Sequence, residues 1–201
     1  MHAIRTTAAL LFLICLLACG AVAVAPNTEQ RVAAIAADNA TRPLVVYYSR
    51  TGKARLAATA LKNRLGCDIA EIVSKRDIGI ATITLDQMFD RDDAQEPFPH
   101  DLTRYNPVII VSPIWFMKLS SPARTFIKHH PDLRGRDVYI ITTSGGPMER
   151  KNNAIAAAAA EKGLSVRGVF NISGVMKKTG EEIERDAEAL TERIALPARS
   201  R

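Results

Sequence analysis

A chain of 201 residues with 47% hydrophobic and 24% charged side chains suits one globular domain with a full core, and excludes a fibrous or low-complexity protein. The formal net charge of +6 invites a nucleic-acid reading, but there is no Lys/Arg block, no basic helix and no aromatic array, so no nucleic-acid partner is expected. Cys15, Cys19 and Cys67 form no Cys-x-x-Cys pair and no metal-ligand spacing, which excludes a thiolate metal centre.

Residues 1–25 read as a targeting segment. Met1 to Arg5 is short and positively charged, Thr6 to Ala18 is nearly all apolar, and the apolar stretch reaches Ala25 with Gly20 interrupting it. Three outcomes are open. Leu16-Leu17-Ala18-Cys19-Gly20 resembles a lipobox, which would make Cys19 a lipidated mature N-terminus. Ala21-Val22-Ala23 could serve a signal peptidase and release a periplasmic protein. Left uncleaved, the segment is just long enough to cross a bilayer as an anchor. The expectation is an exported protein, periplasmic or membrane-anchored; the competing reading is a start codon placed upstream of a cytoplasmic protein. Residues 26–42 are polar and Ala-rich and read as a tether, with the folded domain at 43–201.

Within that domain apolar runs alternate with helical patterns. Leu44 to Tyr48 reads as a strand, followed by a helix from Gly52 to Leu65 with Leu56, Ala60, Leu61 and Leu65 on one face and Gly66 as its stop. Cys67 to Val73 is the second strand, with Cys67 a small buried residue. Lys75 to His100 is irregular, with a short helix over Thr82–Phe89 and an acidic run, Asp90 to Glu96, read as a solvated loop. Pro107 to Val111 is wholly apolar, as in a parallel sheet covered on both faces. Ser112 to Leu119 reads as a loop. Ser121-Pro122 then opens a helix that stops at Pro131, its closing pair His129-His130 compensating the helix dipole.

Asp137 to Thr142 is the fourth strand. A glycine turn, Thr143 to Pro147, and a helix through Ala154 to Lys162 follow it. Ser165 to Ile172 is the fifth strand. Thr179-Gly180-Glu181-Glu182 has capping-box spacing ahead of a helix carrying Ile183, Ala187, Leu190 and Ile194. Strand–helix alternation of this kind predicts an α/β sandwich around a five-stranded parallel sheet.

Ligands of such sheets bind beyond the carboxyl ends of the strands, where three loops hold the unusual chemistry. The first, Ser49-Arg50-Thr51-Gly52-Lys53-Ala54, places hydroxyls, two cations and a glycine at a helix N-terminus, where free amides favour a phosphate. It lacks the first Gly and the Ser/Thr of a Walker A loop, and no G-x-G-x-x-G occurs. The second, Pro113-Ile114-Trp115-Phe116-Met117, holds the only Trp and cannot turn all its large side chains to the core, so a flat aromatic is left to stack on a planar ring. In the third, Ser144-Gly145-Gly146, the glycines let backbone approach a ligand.

Tyr47 to Lys53, Ser112 to Trp115, Pro122 to Phe126 and Thr143 to Gly146 together resemble the flavodoxin family, closest to its short bacterial members, from about Leu44 to Gly174 and more loosely beyond. The resemblance implies strand order 2-1-3-4-5 and an FMN cofactor. Ser49 to Ala54 would hold the phosphate. Pro113 to Met117 would flank the isoalloxazine ring, with Trp115 stacking on it, and Ser144 to Gly146 would contact its other edge. The family usually has Thr where this chain has Ala54 and often Asn where it has Lys53.

The expected function is electron transfer or reduction of a quinone-type acceptor, with a redox partner protein or quinone as partner. No side chain is needed as acid or base, and Tyr48, Tyr105, His129 and His130 are assigned none. Whether the protein is an FMN-dependent oxidoreductase or a carrier stays open. The alternative is an interaction module of the same fold that has lost FMN, suggested by Ala54 and the basic charge. A serine hydrolase ranks last, for want of a Gly-x-Ser-x-Gly elbow.

Overall fold

The computed structural model describes residues 42–196. The chain divides into two units, 1–39 and 40–201, and the described residues all lie in the second. The segment expected to target the chain and the expected tether lie outside them, except Arg42, which opens the first strand rather than ending a tether. Among the described residues no helix is long and apolar enough to cross a membrane.

Strands β1 (Arg42–Tyr47), β2 (Asp68–Glu71), β3 (Tyr105–Trp115), β5 (Asp137–Thr143) and β6 (Ser165–Ile172) form a parallel sheet in the order β2-β1-β3-β5-β6. This is the expected order, with one addition. The segment 112–119, expected as a loop, continues β3 to Trp115 and turns back as β4 (Lys118–Leu119), pairing Ile114 with Leu119 and Trp115 with Lys118. The sheet therefore has six strands, five of them parallel.

Period-two alternation splits the central strands between two cores. Val45, Ile109 and Ile141 face helices α1 (Lys53–Leu65) and α5 (Gly180–Leu190). Val46, Ile110 and Ile140 face the side of α3 (Ser121–His129) and α4 (Asn152–Ala160). Burial on both faces is what made these strands continuous apolar runs.

Local signals mostly hold. Helix α1 ends at Gly66, whose left-handed backbone (φ 60°) directs its N–H to the Lys62 carbonyl. Before α5, the Thr179 hydroxyl accepts from the Glu182 amide, and the Thr179 amide donates to the Glu182 carboxylate at 2.7 Å. The N-cap of α3 is Ser120, one residue earlier than expected. Beyond that helix, His130 Nδ1 lies 2.9 Å from the Phe126 carbonyl, while His129 faces Asp92 at 3.2 Å. Cys67 is buried just before β2, and burial pushes its thiol up to about 11.

The connection from β2 to β3 departs most from expectation. β2 stops at Glu71, two residues short, and α2 (Ile80–Met88) begins two residues early. The acidic run is not wholly solvated. The Asp93 side chain is fully buried, takes Arg76 Nη2 at 3.0 Å and accepts from Ser74 at 2.8 Å. Its amide donates to Thr125 Oγ1 on α3. Arg76 also reaches buried Asp86 on α2 at 2.7 Å. Apolar content cannot reveal such a core, because ion pairs and hydrogen bonds build it.

Candidate functional site

β1, β3 and β5 are parallel neighbours, so the loops that follow them share one rim of the sheet. The backbone links them: the Tyr48 amide donates to the Val111 carbonyl, and Pro113 is in register with Thr143.

In the first loop Gly52 adopts φ 83° and caps α1 with backbone alone; no side chain caps the helix. A side chain at this φ is strained, which is why Gly stands there. The first-turn amides are thus left to water or a ligand. The Ser49 Oγ is buried and has no hydrogen-bond partner, a costly state for a hydroxyl. Arg50 and Thr51 are exposed beside it. Two residues of this loop point elsewhere. The Ala54 methyl packs into the α1/α5 core, leaving only its amide for the rim. Lys53 Nζ donates to the Lys178 carbonyl at 3.1 Å, tying the loop to the segment after β6.

The second loop is the β3–β4 hairpin. Ser112 and Ser120 hydroxyls meet at 2.9 Å and the Ser120 amide donates to the Pro113 carbonyl, closing its base. Ile114 packs against the core. Trp115 is half-buried and meets Tyr48 edge-on, with ring centroids 5.6 Å apart at 88°. Phe116 and Met117 form the turn at φ 47° and 69°, with both side chains exposed. Positive φ at both positions is the type I′ form of a two-residue hairpin turn, which ordinarily uses Asn or Gly. Left-handed backbone at non-glycine residues costs about 1 kcal/mol or more each. The hairpin thus bears strain while presenting apolar side chains to solvent.

In the third loop the Ser144 side chain is buried. Its hydroxyl donates to the Gly146 carbonyl at 2.5 Å and accepts from Asn171 Nδ2 at 3.0 Å. Asn171 also donates to Thr142 Oγ1 at 2.9 Å. Ser144 therefore offers backbone to the rim, beside exposed Gly145 and half-exposed Gly146.

A fourth loop, residues 173–179 after β6, completes the rim and was not expected from the sequence. Val175 N donates to the Ser144 carbonyl, and Met176 stands exposed where a methyl on Gly145 would touch it at 3.7 Å. Ser173-Gly174 directly after the strand end was the available signal.

Burial pushes the Tyr48 hydroxyl up to about 12, assisted by the Asp93 carboxylate, so it is neutral at ordinary pH. A cavity of about 350 Å³ lies away from the hairpin, along β2, lined among others by Glu71, Phe98, His100 and Phe126.

A family model for the Flavodoxin domain matches residues 79–177. Over that stretch the chain is similar to the flavodoxin domain. The matched stretch includes the second and third loops of the rim; Ser49 to Ala54 precede it. Solved structures agree on the fold. A candidate flavoprotein from Bacteroides eggerthii superposes with TM-score 0.60 at 20% identity, covering 76% of this chain and 99% of that one. A flavoprotein from Lactobacillus acidophilus in complex with FMN gives 0.56 at 23% identity, covering 66% and 93%. General stress protein 14 from Treponema denticola, also in complex with FMN, gives 0.50 at 10% identity, covering 76% and 97%. No curated protein matches the sequence.

Proposed function

We propose that this flavodoxin domain binds FMN and works as a redox protein, passing electrons to a quinone-type acceptor or a protein partner. The buried, unpartnered Ser49 hydroxyl beside the uncapped N-terminus of α1 carries the reading. An FMN phosphate would satisfy that hydroxyl and the first-turn amides at once. Arg50 would add charge, and Thr51 a second hydroxyl. Two structural relatives of the fold are proteins in complex with FMN.

FMN would supply one- or two-electron chemistry. The chain's own residues bind, orient and exclude water. Trp115, steadied by Tyr48, would present a flat face to the ring. Phe116 and Met117 would keep water from its edge. Backbone of residues 144–146, fixed by Asn171, would approach the far side. Lys53, bonded to the Lys178 carbonyl, would hold the fourth loop against the phosphate loop rather than neutralise the phosphate. Tyr48 stays protonated and orients; no acid or base is assigned. In this reading the apolar segment at residues 6–25 holds the domain at a membrane, where quinones reside.

The test is the visible spectrum of the purified full chain and its titration with FMN. A yellow protein that releases FMN on denaturation, or apoprotein that regains it stoichiometrically, supports the reading. A colourless chain that FMN does not reconstitute leaves the interaction module.

A further inference from the structure

Helix α2 is built inside out. Its buried positions include Asp86 and Gln87, beside Ile83. Asp86 takes Arg76 at 2.7 Å and the Ser121 hydroxyl at 3.3 Å. Gln87 donates to the Leu119 carbonyl and accepts from Arg124. Its outer face is largely apolar: Ile80 is 76% exposed, Leu85 43% and Met88 68%, with Phe89 at 60% just past the end, and Thr84 between them turns its hydroxyl back to the Ile80 carbonyl at 3.0 Å. A helix facing water carries its polar side chains outward. This one spends them inward, on α3 and the hairpin, and leaves hydrocarbon outside.

The same edge continues into the hairpin. Lys118 Nζ reaches Gln87 O at 3.4 Å and Asp90 at 2.9 Å, which sets the exposed Phe116–Met117 turn beside the end of α2. Strained backbone holding apolar side chains in solvent, next to an inverted helix, is expected of a surface that is covered in use.

We propose that the outer face of α2 and the Phe116–Met117 turn seat in the hydrocarbon boundary of a lipid bilayer. The inference rests on the reading that residues 6–25 bring the chain to a membrane. The tether permits the geometry: residues 26–42 span at most about 60 Å when extended, and a domain of this size is about 40 Å across. Charge argues for lipid over an acidic protein. Lys118 and Arg124 both face Asp90, Lys75 faces Glu96 and Lys128 faces Asp92, so the attraction is by apolar burial. Arg91 lies over the Phe89 ring at 5.4 Å, where its stem can lie along hydrocarbon and its head can reach water. The seating also places the flavodoxin rim against the layer that dissolves quinones.

The test uses the full chain in neutral phosphatidylcholine vesicles whose acyl chains are brominated or not. Two single-tryptophan reporters carry Trp115→Phe, one with Leu85→Trp on α2 and the other with Asn63→Trp on α1, across the sheet. Emission of the α2 reporter falls about twofold in brominated vesicles. The fall is unchanged in 1 M salt, and the α1 reporter does not respond. Equal emission of the α2 reporter in both vesicles overturns the proposal. So does equal quenching of both reporters, loss of quenching in salt, or a dimer in detergent that protects α2. The visible spectrum of wild-type chain from the same expression, before and after titration with FMN, separates the two readings: protein that is yellow or takes up FMN stoichiometrically, without quenching, sinks the bilayer seat alone, and protein that stays colourless after titration, with quenching, sinks FMN binding alone.

Discussion

Tyr48 and Trp115 meet edge to face across the boundary of β1 and β3, with centroids 5.6 Å apart and planes at 88°. The contact joins the end of the strand that leads into the first rim loop to the hairpin that would carry the stacking ring. Tyr48 is buried; Trp115 keeps part of its surface at the rim. Trp115→Phe should keep an aromatic face and cost FMN affinity a few-fold, whereas Trp115→Ala should cost about tenfold or more, with about 1 kcal/mol of stability from the lost edge contact. Fluorescence titration with FMN and urea unfolding of the apoprotein check the two parts. Equal affinity in both variants would remove Trp115 from the site.

Ser49 gives a prediction of opposed signs. Its buried hydroxyl lacks a partner in the chain alone, so Ser49→Ala should leave the apoprotein as stable or more stable by up to about 1 kcal/mol. The same change should weaken FMN binding about tenfold, because the phosphate loses a donor. A merely structural serine would lose stability on substitution and leave affinity alone. Apoprotein unfolding and FMN titration of the same variant decide between these outcomes.

The elements that were legible were those packed by apolar periodicity. β6 lies at Ser165–Ile172 as read, and Ala60, Leu61 and Leu65 of α1 and Ile183 and Ala187 of α5 are buried as expected, because burial on a two-faced sheet writes itself into sequence. Leu56 and Leu190 are partly buried, and Ile194 lies past the end of α5. The hairpin was not legible: its turn is Phe116-Met117 rather than an Asn-Gly pair, and context overrides the turn chemistry. Nor was the Asp93 cluster, since charges read as solvent-facing unless their partner is known, and Arg76 stands 17 positions away. Within the rim, residue types marked the loops, but side-chain direction came only with the fold. Ala54 and Ser144 turn inward, and Lys53 crosses to the fourth loop.

Stability should fall on the alkaline side, where burial raises one thiol and three tyrosines, Tyr47, Tyr48 and Tyr105. Burial raises Cys67 from 9.0 to about 11 and Tyr48 from 10.0 to about 12. A raised folded value means the neutral form is favoured in the fold. Each contribution is therefore intact below the unfolded value and lost as pH climbs through the folded one. For Cys67 the loss runs from pH 9 to about 11 and amounts to as much as about 3 kcal/mol. Cys67→Ala should flatten the urea midpoint between pH 9 and 10, leaving a decline that starts near pH 10 with Tyr47, Tyr48 and Tyr105. Wild type and variant declining in parallel from pH 9 would mean another group governs the limb.

The hairpin turn sets stability against use. Phe116 and Met117 both hold left-handed backbone, and both expose apolar side chains. Replacing them by Phe116→Asn and Met117→Gly supplies the residues that a two-residue turn favours, and should raise apoprotein stability by about 1–2 kcal/mol. If the present side chains serve only the fold, nothing else changes. If they shield the ring edge and reach the bilayer, the stabilised variant should lose FMN affinity and show weaker bromolipid quenching of a reporter on α2. Urea unfolding supplies the first measurement, and FMN titration and vesicle quenching supply the others. A variant more stable and undiminished in both would show that the strain serves neither contact.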